Sequence, residues 1–140
     1  MNTERWITYH FAVLRVVPHV HRGEFANVGV VLHARTVEFL GLRAVTDPAS
    51  LAALFPEVDA RLLSRYLAVH DGIARGDPAS GPVALLPPSE RFHWLSAPRS
   101  DLLQSSPVHE GICESPAQVL DELFAEFVRT VPAPPSPVRP

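Results

Sequence analysis

The sequence predicts an α+β domain, with an antiparallel sheet of about four to five strands and two or three helices packed on one face. Three segments rich in aromatic and β-branched residues follow one another near the start of the chain, with short links between them. Segments with the three-to-four-residue apolar repeat of a helix come later, and two helix starts carry a capping residue followed by proline. Strands that precede helices, rather than alternate with them, are typical of this fold class.

The first three strands are predicted over residues 6–17, 25–34 and 36–43. The first carries apolar residues on both faces, which predicts a central strand, and Pro18 ends it because proline cannot donate to a sheet ladder. The short connection from His33 to Thr36 predicts a hairpin. Adjacent strands with short links indicate an antiparallel sheet.

The middle of the chain predicts two helices. Asp47 followed by Pro48 predicts the start of a short helix that ends near Pro56, because aspartate caps helices and proline fits the first helical position. A longer helix is predicted over residues 57–74. Its apolar residues recur every three or four positions and predict one buried stripe. The stripe consists of Val58, Leu62, Tyr66, Val69 and Ile73.

The last helix has the clearest start signal. Ser115 is its predicted cap, Pro116 takes the first helical position, and Gln118 completes a capping box. With this helix in place, a core can be predicted from the apolar faces of all the elements. That core consists of Phe11, Val13, Val28, Val30, Phe39, Leu62, Tyr66, Leu123 and Phe127.

The remaining segments are predicted from their composition. Residues 76–90 are rich in proline and glycine, which predicts a loop, and residues 91–97 and 102–109 are predicted as two more short strands. Residues 1–131 are expected to form a single domain. The proline-rich segment 132–140 is predicted to be a disordered tail.

The charge of the chain disfavours nucleic-acid binding. The net charge is −3, and all 12 basic residues are arginines, which are scattered without a run. A protein that binds duplex DNA or RNA usually presents a basic stripe to the phosphates. Nucleic acid is therefore not expected as a partner. The charge pattern does not exclude a small local pocket of arginines.

Other features predict a cytoplasmic protein. Hydrophobic residues make up 46% and charged residues 19% of the chain, which are values of globular domains. No apolar run approaches the roughly 18 residues that span a bilayer, and the start of the chain lacks the apolar stretch of a secretion signal. The single cysteine excludes an intramolecular disulfide.

The loop over residues 19–29 has the most unusual composition, with three hydrogen-bonding side chains near two glycines. Arg22, Glu24 and Asn27 are candidate binding residues. Gly29 removes a side chain from one sheet face, which leaves room for a ligand or for a close backbone. The structural interpretation, in which these polar groups serve the turn itself, is favoured because turn residues usually bond to the backbone.

A second polar stretch covers residues 97–111. Arg99, Gln104 and His109 are candidate binding residues there, with Arg99 and His109 suited to contact an anion. Ser100 near a histidine suggests a hydrolase, but the G-x-S-x-G elbow that exposes a nucleophilic serine is missing. No catalytic residue is therefore assigned.

No metal or cofactor is predicted. His19 and His21 are two residues apart and can point the same way on an extended segment, with His33, His109 or Glu24 as a third ligand. Their spacing matches no known metal motif. Neither a Walker loop nor a G-x-G-x-x-G loop is present to hold a nucleotide.

Arg15 and Cys113 are two further notable positions. Arg15 ends an apolar strand face, where a charge is costly unless it is paired, and Glu24 or Glu38 is the predicted partner. Cys113 precedes the cap of the last helix. Without a neighbouring base, it is predicted to be a half-buried, inert thiol.

Two motifs support a family resemblance, RGEFANVGV at 22–30 and QSSPVHEG at 104–111. The chain resembles the bacterial family DUF3037, a domain of unknown function, from about Tyr9 to Val128. The resemblance places the family's polar positions at Arg22, Gly23, Glu24, Asn27, Gly29, Gln104, Pro107, His109 and Gly111.

The resemblance implies an accessory role. Members of this family are often encoded beside a HipA-like kinase, so the chain is expected to be the binding subunit of a two-component system that docks this kinase or its protein substrate. The sequence also leaves open whether the chain forms a homo-oligomer. The alternative is a small enzyme whose acid/base and anion-binding site joins the Arg22–Asn27 loop to the Gln104–His109 segment. A weaker third hypothesis is a nucleic-acid-associated defence or toxin–antitoxin component, against which the negative net charge counts.

Overall fold

The computed structural model describes residues 5–17, 25–97 and 102–128, and within them it confirms the α+β class with an antiparallel sheet. The five strands are β1 (Ile7–Val16), β2 (Ala26–Ala34), β3 (Phe39–Ala44), β4 (Leu103–Ser105) and β5 (His109–Cys113). The four α-helices are α1 (Pro48–Leu54), α2 (Ala60–Arg75), α3 (Pro88–Leu95) and α4 (Pro116–Phe127). The predicted tail at 132–140 lies outside the described residues.

The sheet is built around β1. Strand β2 pairs with one side of β1, and β3 pairs with the outer side of β2. The other side of β1 is shared, since β5 pairs with its first half and β4 with its last residues. All of these pairings are antiparallel, and β1 is the central strand that its apolar faces predict.

One serine explains how two strands share one side of β1. Between β4 and β5, the backbone N–H of Ser106 donates to the Val13 carbonyl at 2.8 Å. The Ser106 hydroxyl accepts from the Val13 N–H at 2.9 Å and donates to the Pro107 carbonyl at 2.8 Å. The side chain thus takes the place of a backbone carbonyl where the ladder is interrupted. The strand predicted at 102–109 is therefore limited to β4, and β5 begins at His109, the last residue of that prediction.

Helices cover both faces of the sheet, whereas the prediction had them on one. A Cβ at Gly41 of β3 would lie 2.7 Å from Leu120 of α4, and Arg43 stacks on Phe124 of the same helix. His33 of β2 stacks on Phe92 of α3, with ring centroids 5.3 Å apart. Because Gly41 pairs with the residue that precedes His33, the two helices lie on opposite faces, called here the α4 face and the α3 face.

The predicted β2–β3 hairpin is confirmed, with its turn later than expected. A short 3₁₀ turn at Arg35–Val37 leads to Glu38, which has a left-handed backbone at φ 53°. Strand β3 therefore begins at Phe39 rather than at residue 36.

The first two helices start at aspartate caps. The Asp47 carboxylate accepts from the Ser50 N–H at 3.0 Å, which confirms the predicted start of α1. The Asp59 carboxylate accepts from the Leu62 N–H at 3.1 Å and starts α2 three residues later than predicted. Gly76, at φ 72°, ends α2 in the left-handed conformation that glycine adopts without strain.

The buried stripe of α2 is centred one position away from the predicted one. Val69 is 44% exposed, and Leu62 and Tyr66 are only half-buried. The buried residues of the helix are Leu63, Leu67, His70, Gly72, Ile73 and Ala74. Apolar residues occupy a wide arc of this helix, so periodicity alone could not locate its centre, and the contacts with β3 and α3 decide it.

The predicted strand at 91–97 is wrong, because this segment belongs to α3. Phe92 and Leu95 are three residues apart and both buried, which is the spacing of one helix face. Pro88 occupies the first turn, where a missing N–H costs nothing. The aromatic residues that suggested a strand instead pack on the sheet as helix residues.

The start of α4 is confirmed, since the Ser115 hydroxyl accepts from the Gln118 N–H at 3.3 Å. The Gln118 amide bonds to Glu122 at 3.1 Å, so only half of the predicted capping box involves Ser115. Phe127, a predicted core residue, is 36% exposed at the end of the helix. None of the described helices is long and apolar enough to cross a membrane.

His33 is a buried titratable group in the core of the α3 face. Its side chain lies between β2 and Phe92 and is 6% exposed. Burial lowers the pKa of this imidazole from its ordinary value, and the neighbouring His10, Arg35 and Arg91 lower that pKa further. The fold therefore holds His33 in its neutral form.

This lowered pKa predicts that acid weakens the fold. The unfolded chain binds a proton at His33 near pH 6.5, whereas the folded chain does not. The stability that comes from keeping His33 neutral is therefore fully present above about pH 6.5. It is lost as the pH falls towards the folded-state pKa. Urea unfolding from about pH 7.5 to about pH 5.5 should show a slope of up to about 1.4 kcal/mol per pH unit from this group. The slope should be smaller in His33→Gln. Equal slopes in the two proteins would contradict the assignment.

Candidate functional site

Three polar side chains form a row across three neighbouring strands. The register pairs Arg15 of β1 with Asn27 of β2 on one side and with Gln104 of β4 on the other. Paired residues of antiparallel strands place their side chains on the same face, here the α4 face. The two polar segments that the sequence singled out therefore meet at Arg15, and these three residues are called the polar row.

Arg15 is half-buried at the centre of the row. Its guanidinium lies 4.1 Å from the ring centroid of Phe25, which is itself 53% exposed. Among the residues that the structure describes, the buried Nε of Arg15 has no hydrogen-bond partner. Glu38, one of the two predicted ion-pair partners of Arg15, does not pair with it. Glu38 follows the end of β2, whereas Arg15 pairs with a residue near the start of that strand. Glu24, the other predicted partner, lies outside the described residues.

Asn27 connects the row to the last helix. Its side-chain amide donates to the Phe127 carbonyl at 2.9 Å, which satisfies an acceptor at the end of α4. This agrees with the structural interpretation of the loop, in which polar side chains serve the backbone.

Gly29 makes room for a close backbone rather than for a ligand. A Cβ at this position would lie 2.8 Å from the Ala44 Cβ and 2.9 Å from the Arg43 carbonyl oxygen. Its neighbour strand therefore fills the space that the glycine leaves. Next to it the register shifts, because Leu14 pairs with Gly29 and Arg15 with Asn27, which leaves Val28 of β2 as an extra residue.

His109 lies on the same face but apart from the row. Its ring contacts Phe11 with centroids 5.3 Å apart, and its side chain is exposed. Phe11 and Arg15 are four residues apart on β1, a separation of about 13 Å along an extended strand. A shared acid/base site needs groups within roughly 3 Å of one atom, and Arg22, Glu24 and Arg99, which were predicted for such a site, lie outside the described residues.

The other predicted binding residues, Arg22, Glu24 and Arg99, lie outside the described residues, as do His19, His21 and Ser100. His33 and His109, both considered as metal ligands, are on opposite faces of the sheet. Within residues 5–17, 25–97 and 102–128, no three His, Cys, Asp or Glu side chains are close enough together to hold a metal ion.

Cys113 is buried, with 6% of its surface exposed. Burial raises the pKa of its thiol, and a hydrogen bond with the Ser115 backbone opposes that increase. Since the thiolate is the reactive form, this environment agrees with the predicted inert thiol.

Strand β5 presents an edge that sequence reasoning missed. Within the described part of the chain, β5 pairs only with β1, so its outer backbone groups have no strand beside them. Ile112 is 65% exposed on this strand, and Val108 just before it is 46% exposed. Glu110 and Glu114 flank Ile112 at two-residue spacing. An apolar residue between acidic residues on one strand face was the sequence signal that could have indicated an exposed apolar position.

A family model described as "Protein of unknown function (DUF3037)" matches residues 11–128. The chain belongs to this family. No curated protein and no solved structure gives a match. In this DUF3037 domain, the match extends from β1 to the end of α4, so it includes the polar row and the β5 edge.

Proposed function

We propose that this DUF3037 chain is the binding subunit of a two-component system, and that a protein partner adds an extended segment to the open edge of β5. The observation that carries the proposal is this edge, which pairs with no further strand of the described residues and on which Ile112 is exposed. An edge strand offers a row of free N–H and C=O groups, to which a partner strand can bond.

The side chains of the edge favour a particular partner. Ile112 would contact an apolar residue on the incoming strand, because cross-strand apolar pairs stabilise a sheet. Glu110 has a side chain that is 66% exposed, and its only described ion-pair neighbour is His10, at 4.0 Å. A lysine or arginine of the partner is therefore expected opposite Glu110, since opposite charges across strands attract.

The partner that the family resemblance suggests is a HipA-like kinase, or a protein segment that such a kinase modifies. A binding role also suits the polar groups of the domain, because Asn27 bonds to the backbone at the end of α4 and His109 packs against Phe11.

Affinity purification tests the proposal directly. The tagged chain, purified from its native host, is expected to retain a kinase-like protein in a one-to-one ratio, as identified by mass spectrometry. Hydrogen–deuterium exchange of the purified complex should then show slower exchange in His109–Cys113 than in the free chain, because the partner strand occupies the free N–H groups. A chain that purifies as a monomer or a self-dimer would contradict the proposal, as would a complex with unchanged exchange in β5.

A further inference from the structure

The hydrogen bonds of β1 show which backbone groups of β5 point to the open edge. The Val13 carbonyl accepts a bond from the residue that follows β4, so the backbone groups of Val13 point to the side of β1 on which β5 lies. Backbone groups of successive residues point to opposite sides of a strand, so Phe11 also points to that side and forms a hydrogen-bonded pair with His109. By the same alternation, the backbone groups of Glu110 and Ile112 point away from β1.

The same two residues carry the side chains that a ligand at this edge would meet. Ile112 is 65% exposed and the Glu110 side chain is 66% exposed, so both are reachable from solution. Both lie on the α3 face together with His10, the ion-pair neighbour of Glu110. Gly111 between them has no side chain, and Tyr9 covers it, because a Cβ there would lie 2.5 Å from the Tyr9 hydroxyl. The edge therefore contacts an incoming strand mainly through every second residue, on the α3 face.

The charges along the edge determine which end attracts a basic residue. Glu114 follows Ile112 at two-residue spacing and forms an ion pair with Arg5. Glu110 has a weaker described neighbour, since the His10 ring lies 4.0 Å away and is charged only when protonated. A basic side chain of a ligand is therefore attracted to Glu110, and an apolar one packs on Ile112.

Strand direction then sets the order of these two ligand residues. Every strand pair of the described sheet is antiparallel, and antiparallel pairing is slightly more stable per residue than parallel pairing. In an antiparallel ligand, the residue opposite Ile112 comes before the residue opposite Glu110. A parallel ligand would need the basic residue first.

We infer, resting on the proposed function, that the β5 edge binds a short antiparallel segment in which an apolar residue stands two positions before arginine or lysine. The segment is short because β5 extends only over His109–Cys113, with Pro107 before it and Pro116 after it. The two ligand residues bond through their backbones to Ile112 and Glu110, and the N–H of the residue between them points away from β5. A second copy of β5 fits poorly, because this strand contains neither arginine nor lysine.

An NMR titration of the full chain tests the order of the two residues. The probe is the peptide acetyl-Thr-Leu-Thr-Arg-Thr-amide, and the matched control, acetyl-Thr-Arg-Thr-Leu-Thr-amide, has the same composition in the reverse order. The leucine-first peptide is expected to shift the backbone N–H resonances of Glu110 and Ile112 in a saturable way, with an affinity at least about fivefold higher than that of the control.

Methylation of single peptide nitrogens tests the direction and the register. N-methylation of the leucine removes the N–H that would donate to the Ile112 carbonyl, so the affinity should fall by about tenfold. N-methylation of the middle threonine is the matched control and should leave the affinity unchanged. In the chain, Glu110→Gln should reduce the preference for the leucine-first peptide, because the attraction to the arginine is lost.

The results separate this inference from the proposed function. Equal affinity of the two peptides would overturn the inference, as would a larger loss on methylation of the middle threonine, which a parallel strand would give. In both cases the shifts at Glu110 and Ile112 would still support a partner at this edge. Absence of these shifts with either peptide also overturns the inference, and the purification and exchange experiment then decides the proposed function by itself. Shifts at the same residues that depend on protein concentration without peptide would indicate pairing of two copies and would overturn it as well.

Discussion

Replacing Ile112 with lysine is expected to weaken partner binding by at least about tenfold while leaving the fold intact. The side chain is 65% exposed, so its replacement should change the free energy of unfolding by no more than about 0.5 kcal/mol. Lysine on an edge strand opposes the addition of another strand, because its charge would have to be desolvated in the new sheet. Isothermal titration calorimetry with the purified partner gives the affinity.

Val69→Lys is the matched control for this experiment. Val69 is also a β-branched residue, is 44% exposed, and lies on α2, which packs on β3 at the opposite edge of the sheet from β5. The control variant should bind the partner as the natural chain does. Equal loss in both variants would indicate a nonspecific effect of charge, and unchanged affinity in Ile112→Lys would place the partner elsewhere on the domain.

Replacing Gly29 with alanine is expected to destabilise the domain by about 2 to 3 kcal/mol. The added methyl group would lie 2.8 Å from the Ala44 Cβ and 2.9 Å from the backbone oxygen of Arg43. Both strands are held by their ladder and covered by helices, so β3 cannot move away without losing hydrogen bonds to β2. Urea-induced unfolding, followed by circular dichroism, measures the loss.

Gly41→Ala provides the comparison for this variant. A Cβ at Gly41 would also make short contacts, at 2.7 Å from Leu120 and 2.9 Å from Phe39, but these atoms are the ends of side chains. Such side chains can rotate away, so the loss of stability should be smaller than in Gly29→Ala. A larger loss in Gly41→Ala would mean that the packing of α4, rather than the strand spacing, limits this sheet.

Elements with strong local signals were predicted well from the sequence. Strands β1 and β2 combine β-branched residues with a proline or a polar loop at their ends, and the pattern depends on nothing outside the segment. The caps at Asp47 and Ser115 are equally local, since each side chain bonds to an N–H three residues ahead.

The misassigned segment shows where local signals conflict. Residues 91–97 contain aromatic residues that favour a strand, while Pro88 and the spacing of Phe92 and Leu95 favour a helix. The arrangement of the sheet favours the helix, because β4 and β5 pair with the side of β1 that β2 does not use. The α3 face was left to be covered, and this segment covers it as a helix.

The candidate site was only partly predictable for the same reason. The sequence identified Asn27 and Gln104 as unusual polar residues and Arg15 as a charge in need of a partner. That Arg15 lies between the other two follows from strand register, which depends on pairing between residues far apart in the chain. The family match places these residues in one domain but says nothing of their contacts.

The sequence by itself determined the α+β class, the first three strands and the helix starts, because each of these depends on propensity, periodicity and capping within a few residues. The tertiary structure alone decided which faces the helices cover, which side of α2 is buried, that β5 pairs only with β1 among the described strands, and that Arg15 lies between Asn27 and Gln104. These features arise from packing and register between distant segments, where the free energy of burying a whole face outweighs any local preference.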